Sequence, residues 1–247
     1  MGAGLNMPAV KKSAWQMGAM DAAYAGTPTP AQVVSKPSAS LTAEPAYWSA
    51  ACEHLMAKDR VMNKLIAQCQ GPVLVSRGDA FGTLARSIVG QQISTKAAQA
   101  VWDKLALHMP LPAPQALLAL DEATLRACGL SARKVTYLQD LATHFEQGLL
   151  HHQAWPDMDD EAIIAELIHI RGIGRWTAEM FLMFHLLRPN VLPLDDAGLI
   201  KGISQSYFSG DPVSRSDARE VAAAWAPYRS VATWYIWRSL DPVAVSY

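Results

Sequence analysis

Cysteine is scarce in this chain: Cys52, Cys69 and Cys128 are widely spaced and form no Cys-x-x-Cys pair. Neither a disulfide framework nor a four-thiolate zinc or iron–sulfur site can be assembled from them, and a reducing, intracellular compartment is expected. Neither sign of charge is in surplus, since 21 Lys and Arg face 22 Asp and Glu for a net charge of -1. Binding to nucleic acid by bulk neutralisation of phosphates is thereby excluded, so any such contact must be local. No run of about 18 uninterrupted apolar residues occurs, and no membrane span is expected. Lys11 and Lys12 precede the first acid, Asp21, but the compact apolar core of a secretory signal is lacking. The seven histidines, among them His151, His152, His169 and His185, show no His-x-x-x-His spacing with a supporting acid, which argues against a catalytic zinc. With 17% charged residues and no Gly or Pro period, coiled coils and collagen-like fibres drop out.

What is present suits a globular body, because 51% of the 247 residues are hydrophobic and need no disulfide or metal to form a core. Residues 25–45, rich in Pro, Ser, Thr and Ala without an apolar period, predict a flexible arm over 1–45 and a folded body over 46–247. That body reads as helical nearly throughout. Asp79, Ser94, Asp121, Ser131 and either Asp159 or Asp160 precede runs with apolar residues at helical spacing, and Gly129 and Gly148 can stop them. Pro227 suits the first turn of a last helix carrying Trp234 and Trp237. Val191 to Leu194 is the one short strand candidate, so the expected fold is all-α.

The most informative stretch runs from Leu167 to Ala178, where an apolar helix stops at Gly172-Ile173-Gly174 and a new helix begins at once. Glycines one residue apart allow a tight turn and a close approach to another molecule, and the helix N-terminus behind them offers amide donors to a phosphate. Arg175 and Lys201 add point charges that would position a strand without reading its sequence. Asp195 and Asp196, the latter 22 residues after Gly174, open the next amphipathic helix. Asp195 is expected to serve as the cap of that helix, leaving Asp196 for chemistry.

These segments resemble the helix-hairpin-helix superfamily of DNA glycosylases, and in particular its 3-methyladenine DNA glycosylase II branch. The likeness rests on Gly172-Ile-Gly-Arg-Trp-Thr-Ala178, on Asp195-Asp196 before an apolar helix ending in Ile200-Lys201, and on Ile88-Val-Gly-Gln-Gln-Ile-Ser94. Leu125 to Val135 and Trp225 to Ser230, followed by Trp234 and Trp237, agree with it. The resemblance implies two helical lobes flanking a DNA-binding cleft, without the β-rich N-terminal domain of some relatives. It implies Asp196 as the catalytic acid, Trp176 and Trp237 lining a base pocket by their ring faces, and Met180 where some relatives carry a pocket tyrosine. Gln92 becomes the wedge that fills the hole left by a flipped base. No cofactor is required, although the family's hairpins often hold a structural monovalent cation, here on the carbonyls of Ile168, Ile170 and Ile173. The implied partner is double-stranded DNA with alkylated bases, met by a monomer in the cytoplasm with the chromosome.

Strand-nicking relatives use a lysine two residues after the second hairpin glycine, where this chain has Trp176. A monofunctional enzyme is therefore expected. The rival readings are a bifunctional oxidised-base glycosylase, disfavoured by the missing lysine, and a non-catalytic hairpin module, which would need neither Asp196 nor the tryptophans. Trp225, Tyr228 and Trp234 are expected in the core.

Overall fold

The computed structural model describes residues 44–69, 73–76 and 79–240; the arm expected over 1–45 lies, up to residue 43, outside them. The described residues form twelve α-helices and one short 3-10 turn, with no strand. In chain order these are α1 (Trp48–Lys58), α2 (Arg60–Gln68), α3 (Ala80–Gly90), α4 (Thr95–His108), α5 (Pro114–Leu118), α6 (Glu122–Ala127) and α7 (Ala132–Glu146). After the turn Trp155–Asp157 come α8 (Asp160–Leu167), α9 (Arg175–Phe184), α10 (Ala197–Tyr207), α11 (Arg215–Val221) and α12 (Arg229–Leu240).

Local cap chemistry sets most of the boundaries. The side chains of Asp79, Ser94, Asp121, Ser131 and Asp159 each accept from a backbone N–H of the first turn of α3, α4, α6, α7 and α8. Gly129 and Gly148 follow α6 and α7 with φ of 102° and 64°, conformations that L side chains rarely adopt. Two boundaries differ from expectation. Pro227 lies ahead of α12, in the turn that leads to its start at Arg229. Val191 to Leu194 is not a strand, because no neighbour pairs with it: the Val191 N–H donates to the Ser230 hydroxyl at 2.9 Å.

Two cores organise the helices into two lobes. The larger lobe is contiguous in sequence, from α3 to α9, around Leu84, Ile88, Leu125, Leu138, Leu141, Trp155, Ile163 and Leu182, all at 1% exposure or less. The smaller lobe joins α1 and α2 to α10, α11 and α12 around Leu55, Met62, Leu199, Ile203, Trp225 and Ile236. Trp225 and Trp234 are buried there, as expected, and Tyr228 packs at its margin. Phe184, at the end of α9, and Trp237, on α12, pack against both cores and so mark the seam. The Ser230 hydroxyl donates to the Arg188 carbonyl at 2.6 Å and Ser230 N–H to the Pro189 carbonyl at 2.9 Å, fixing the chain segment that crosses the seam. Within the smaller lobe α10 and α12 approach closely because Gly202 has no side chain; a Cβ there would stand 2.3 Å from Ile236 Cγ2. That contact holds the residue after Ile236, Trp237, close to the start of α10.

Candidate active site

Three helices converge on Asp196. Its carboxylate caps α10, with Oδ1 accepting from the Leu199 N–H at 2.6 Å. The Trp237 indole Nε1 from α12 donates to the same oxygen at 2.8 Å, and the Trp176 Nε1 from the first turn of α9 donates to Oδ2 at 2.9 Å. A carboxylate has about four lone-pair directions. Among the described residues two donors therefore occupy Oδ1, whereas Oδ2 receives one, which leaves a second direction for another molecule. Gly198 makes the convergence feasible: a Cβ on it would lie 3.0 Å from Asp196 Oδ1 and 3.3 Å from Trp237 Nε1. Behind Trp237 the Phe184 ring lies parallel, centroids 6.1 Å apart and planes 9° from each other.

The expected division between the two acids is reversed in part. Asp195 is exposed and pairs with Arg215 at 2.5 Å instead of capping the helix. The cap falls to Asp196 because α10 begins at Ala197, which puts Asp196 in the extended backbone conformation (φ -80°, ψ 115°) from which a side chain reaches the third N–H. Helix capping and both indole contacts are thus combined on one carboxylate. Both tryptophans meet Asp196 through their N–H edges.

The hairpin between α8 and α9 stands beside this acid. Gly172 has φ 85°, and a Cβ there would lie 2.2 Å from the Tyr137 ring of α7, so both conformation and packing require glycine. Gly174 precedes α9 with no capping side chain, and a Cβ on it would meet nothing within 4 Å, so the turn is open towards solvent. Ile170 and Ile173 are buried and Ile168 is half exposed. The Ile173 N–H donates to the Ile170 carbonyl at 3.1 Å, and among the described residues no backbone N–H is directed at the carbonyls of Ile168 or Ile173. Carbonyl oxygens are the donor type that a hard cation takes. Among the described residues no group of three or more His, Cys, Asp or Glu is arranged to hold a metal ion.

Arg175 does not extend freely towards solvent. Its guanidinium pairs with both oxygens of Glu161 on α8, and its Nε donates to Glu179 at 3.1 Å. Glu179, on α9, was not foreseen as part of the site, although its spacing of four from Arg175 is the signal that would have found it. It is 6% exposed, and burial pushes its carboxyl up to about 7 against the opposing pull of Arg175; Asp195 and Glu161 push the same way as burial. Met180, four residues after Trp176, is half-buried against the larger core. Lys201 is exposed on α10, in a shallow groove shared with Asp195 and Arg215. On the far side of the hairpin, Gln92 is exposed in the loop between α3 and α4 with φ 61°.

Residues 85–227 match the family described as HhH-GPD superfamily base excision DNA repair protein. The chain belongs to that superfamily. Among solved structures, the HhH-GPD chain is similar to a DNA-3-methyladenine glycosidase from Bacillus halodurans, with a TM-score of 0.74 and 32% identity over 81% of this chain and 94% of the other. It is also similar to a 3-methyladenine DNA glycosylase of Schizosaccharomyces pombe in complex with abasic DNA, with a TM-score of 0.67, 28% identity, and coverage of 80% and 99%. Among curated sequences, DNA-3-methyladenine glycosylase 1 of Schizosaccharomyces pombe is 29% identical over 180 residues, 71% of this chain and 79% of the relative. The HhH-GPD match spans the loop of Gln92, the hairpin and Asp196, and stops short of Trp237.

Proposed function

We propose that this chain is a monofunctional DNA glycosylase, releasing alkylated purines of the 3-methyladenine type from duplex DNA and so opening base excision repair. The observation that carries the reading is the Asp196 carboxylate held by two indole N–H groups at the seam of the lobes, one oxygen still open. Its similarity to proteins named for 3-methyladenine supports the substrate class.

The chemistry follows from the residues. The target nucleotide must leave the stack to reach Asp196, and Gln92 enters the duplex in its place. As the C1′–N bond breaks, its electron pair stays with the base and positive charge grows on the sugar. The Asp196 carboxylate faces that charge and stabilises it, and Oδ2 can orient the water that adds to C1′ and take up the proton that water loses. An alkylated purine that already carries positive charge needs no acid to protonate it as it departs, because the bond pair neutralises that charge. Trp176, Trp237 and Met180 border the space for that base.

The DNA backbone is held mainly by the turn of Gly172 and Gly174 and the N-terminus of α9. A monovalent cation on the carbonyls of Ile168, Ile170 and Ile173 would add positive charge at that turn. Arg175 contributes to the backbone contact only by exchanging a Glu161 oxygen for a phosphate, and Lys201 is an exposed point charge on α10. The protein acts as a monomer on duplex DNA. Trp176, standing where a Schiff-base lysine would be required, leaves no nucleophile for strand cleavage.

The test is a strand-cleavage assay, with and without hot alkali, on duplexes carrying 3-methyladenine, ethenoadenine, hypoxanthine or 8-oxoguanine. Cleavage of the alkylated duplex only after alkali is expected. Cleavage without alkali would establish a lyase, and absence of release from every duplex would favour a docking module. Asp196→Asn is expected to abolish release while duplex binding persists; full activity in that variant would refute the assignment.

A further inference from the structure

We propose that Gln91 is a positioning residue whose side-chain amide ties the loop bearing Gln92 to the hairpin turn, so that seating of the hairpin on the DNA backbone and entry of Gln92 into the duplex occur as one step. The inference rests on the reading of Gln92 as the wedge.

The Gln91 Nε2 donates to the Gly172 carbonyl at 2.8 Å, across 81 residues of chain. That acceptor is fixed, because Gly172 sits at φ 85° with its Cα packed on the Tyr137 ring. Two residues earlier, the Lys134 ammonium from α7 donates to the Val89 carbonyl at 2.7 Å, in the last turn of α3, where a cation is favoured by the exposed carbonyls. Directly after these two fixed points Gln92 adopts a left-handed conformation at φ 61°, unfavourable for a residue with a Cβ. A short exposed loop with no other restraint would relax to remove that conformation. Here two hydrogen bonds, one from Lys134 on α7 to Val89 and one from Gln91 to Gly172, hold the stretch that leads into Gln92. One of those tethers, Gln91, ends on the very turn whose amides face the phosphates. Displacement of the hairpin therefore displaces the root of the wedge, and a hairpin clamped on DNA gives Gln92 a rigid base from which to enter.

The experiment uses the full chain and compares its affinity for a duplex containing a tetrahydrofuran abasic analogue with that for the same duplex undamaged. Gln91→Met keeps length and volume but cannot donate. It is expected to reduce the preference for the abasic duplex about five- to tenfold, the worth of one hydrogen bond, without changing affinity for undamaged DNA. In a Gln92→Ala background, Gln91→Met should cause no further loss, because Gln91 acts only through its neighbour. Thermal midpoints of all variants establish that they fold. A wild-type preference in Gln91→Met, an equal loss on both duplexes, or additive losses in the double variant would overturn the proposal. An unaltered preference in Gln92→Ala alone would overturn instead the wedge reading beneath it.

Discussion

Gly198 illustrates how narrowly the carboxylate of Asp196 is placed. Alanine is the better helix former by about 1 kcal/mol, so at the second residue of α10 it should favour the helix. Its Cβ, however, would stand 3.0 Å from Asp196 Oδ1 and 3.3 Å from the Trp237 Nε1 and Cδ1 atoms, and those groups would have to give way by a few tenths of an ångström. Gly198→Ala is therefore expected to leave the thermal midpoint unchanged or raised while base release falls on the order of tenfold or more. Single-turnover excision set beside a melting curve makes the check; wild-type excision would show that the indole contact does not matter. At this scale the sequence revealed which residues meet but not how. Asp196, Trp176 and Trp237 stand together as expected, yet 20 and 41 residues of chain separate the indoles from the acid, and no local pattern specifies that N–H edges point at its oxygens. The same holds for Gln91 and Gly172, a contact that exists only once the fold is complete.

At the scale of elements, the hairpin is braced by charge as well as by glycine. Arg175 joins Glu161 on α8 to Glu179 on α9, and Asp195 adds its negative charge from the segment before α10. Burial raises the Glu179 carboxyl from an ordinary 4.5 to about 7. The folded protein therefore holds this proton over a range in which the unfolded chain has released it. The associated stability is fully present below the unfolded value and is lost as pH rises through the folded one. Glu179→Gln keeps an acceptor for the Arg175 Nε and removes the titration. The fall in thermal midpoint of the native protein from about pH 5 to pH 8 should accordingly be shallower in the variant. Identical pH slopes would show that Glu179 does not titrate in this window. Boundaries of elements were legible wherever the cap is local, as at Asp79, Ser94, Asp121, Ser131 and Asp159, because a side chain and the N–H groups two or three residues on suffice. They were illegible where tertiary packing decides. Nothing in Asp195-Asp196 says which acid ends up as the cap, and Pro227 alone cannot show that α12 starts two residues later.

For the whole molecule, near-neutral composition combines with arginines already committed to acids. Arg175 pairs with Glu161 and Glu179, Arg188 with Asp160, and Arg215 with Asp195. On the proposed reading, attachment to DNA relies on main-chain amides at the hairpin more than on cationic side chains. Affinity for undamaged duplex should fall with salt at a logarithmic slope of about -2 to -3, the release expected for two or three phosphates. Titrations over a range of potassium chloride concentrations provide the check, and a slope several times steeper would mean that lysines and arginines carry the contact. The all-α class and the hairpin were evident from composition and spacing. The partition into lobes was not, because it depends on α1 and α2 returning to α10, α11 and α12 across the length of the larger lobe.

That return path bears on how the enzyme comes into being on the ribosome. The larger lobe is one uninterrupted stretch and can gather its core as it emerges. The smaller lobe cannot, since α1 and α2 must wait for helices synthesised more than a hundred residues later. Non-local closure of this kind is the slow part of folding. Asp196 and its second indole belong to the late-arriving portion, so the carboxylate proposed for the chemistry gains that partner only when the smaller lobe closes. Competence for chemistry is thereby tied to completion of the fold.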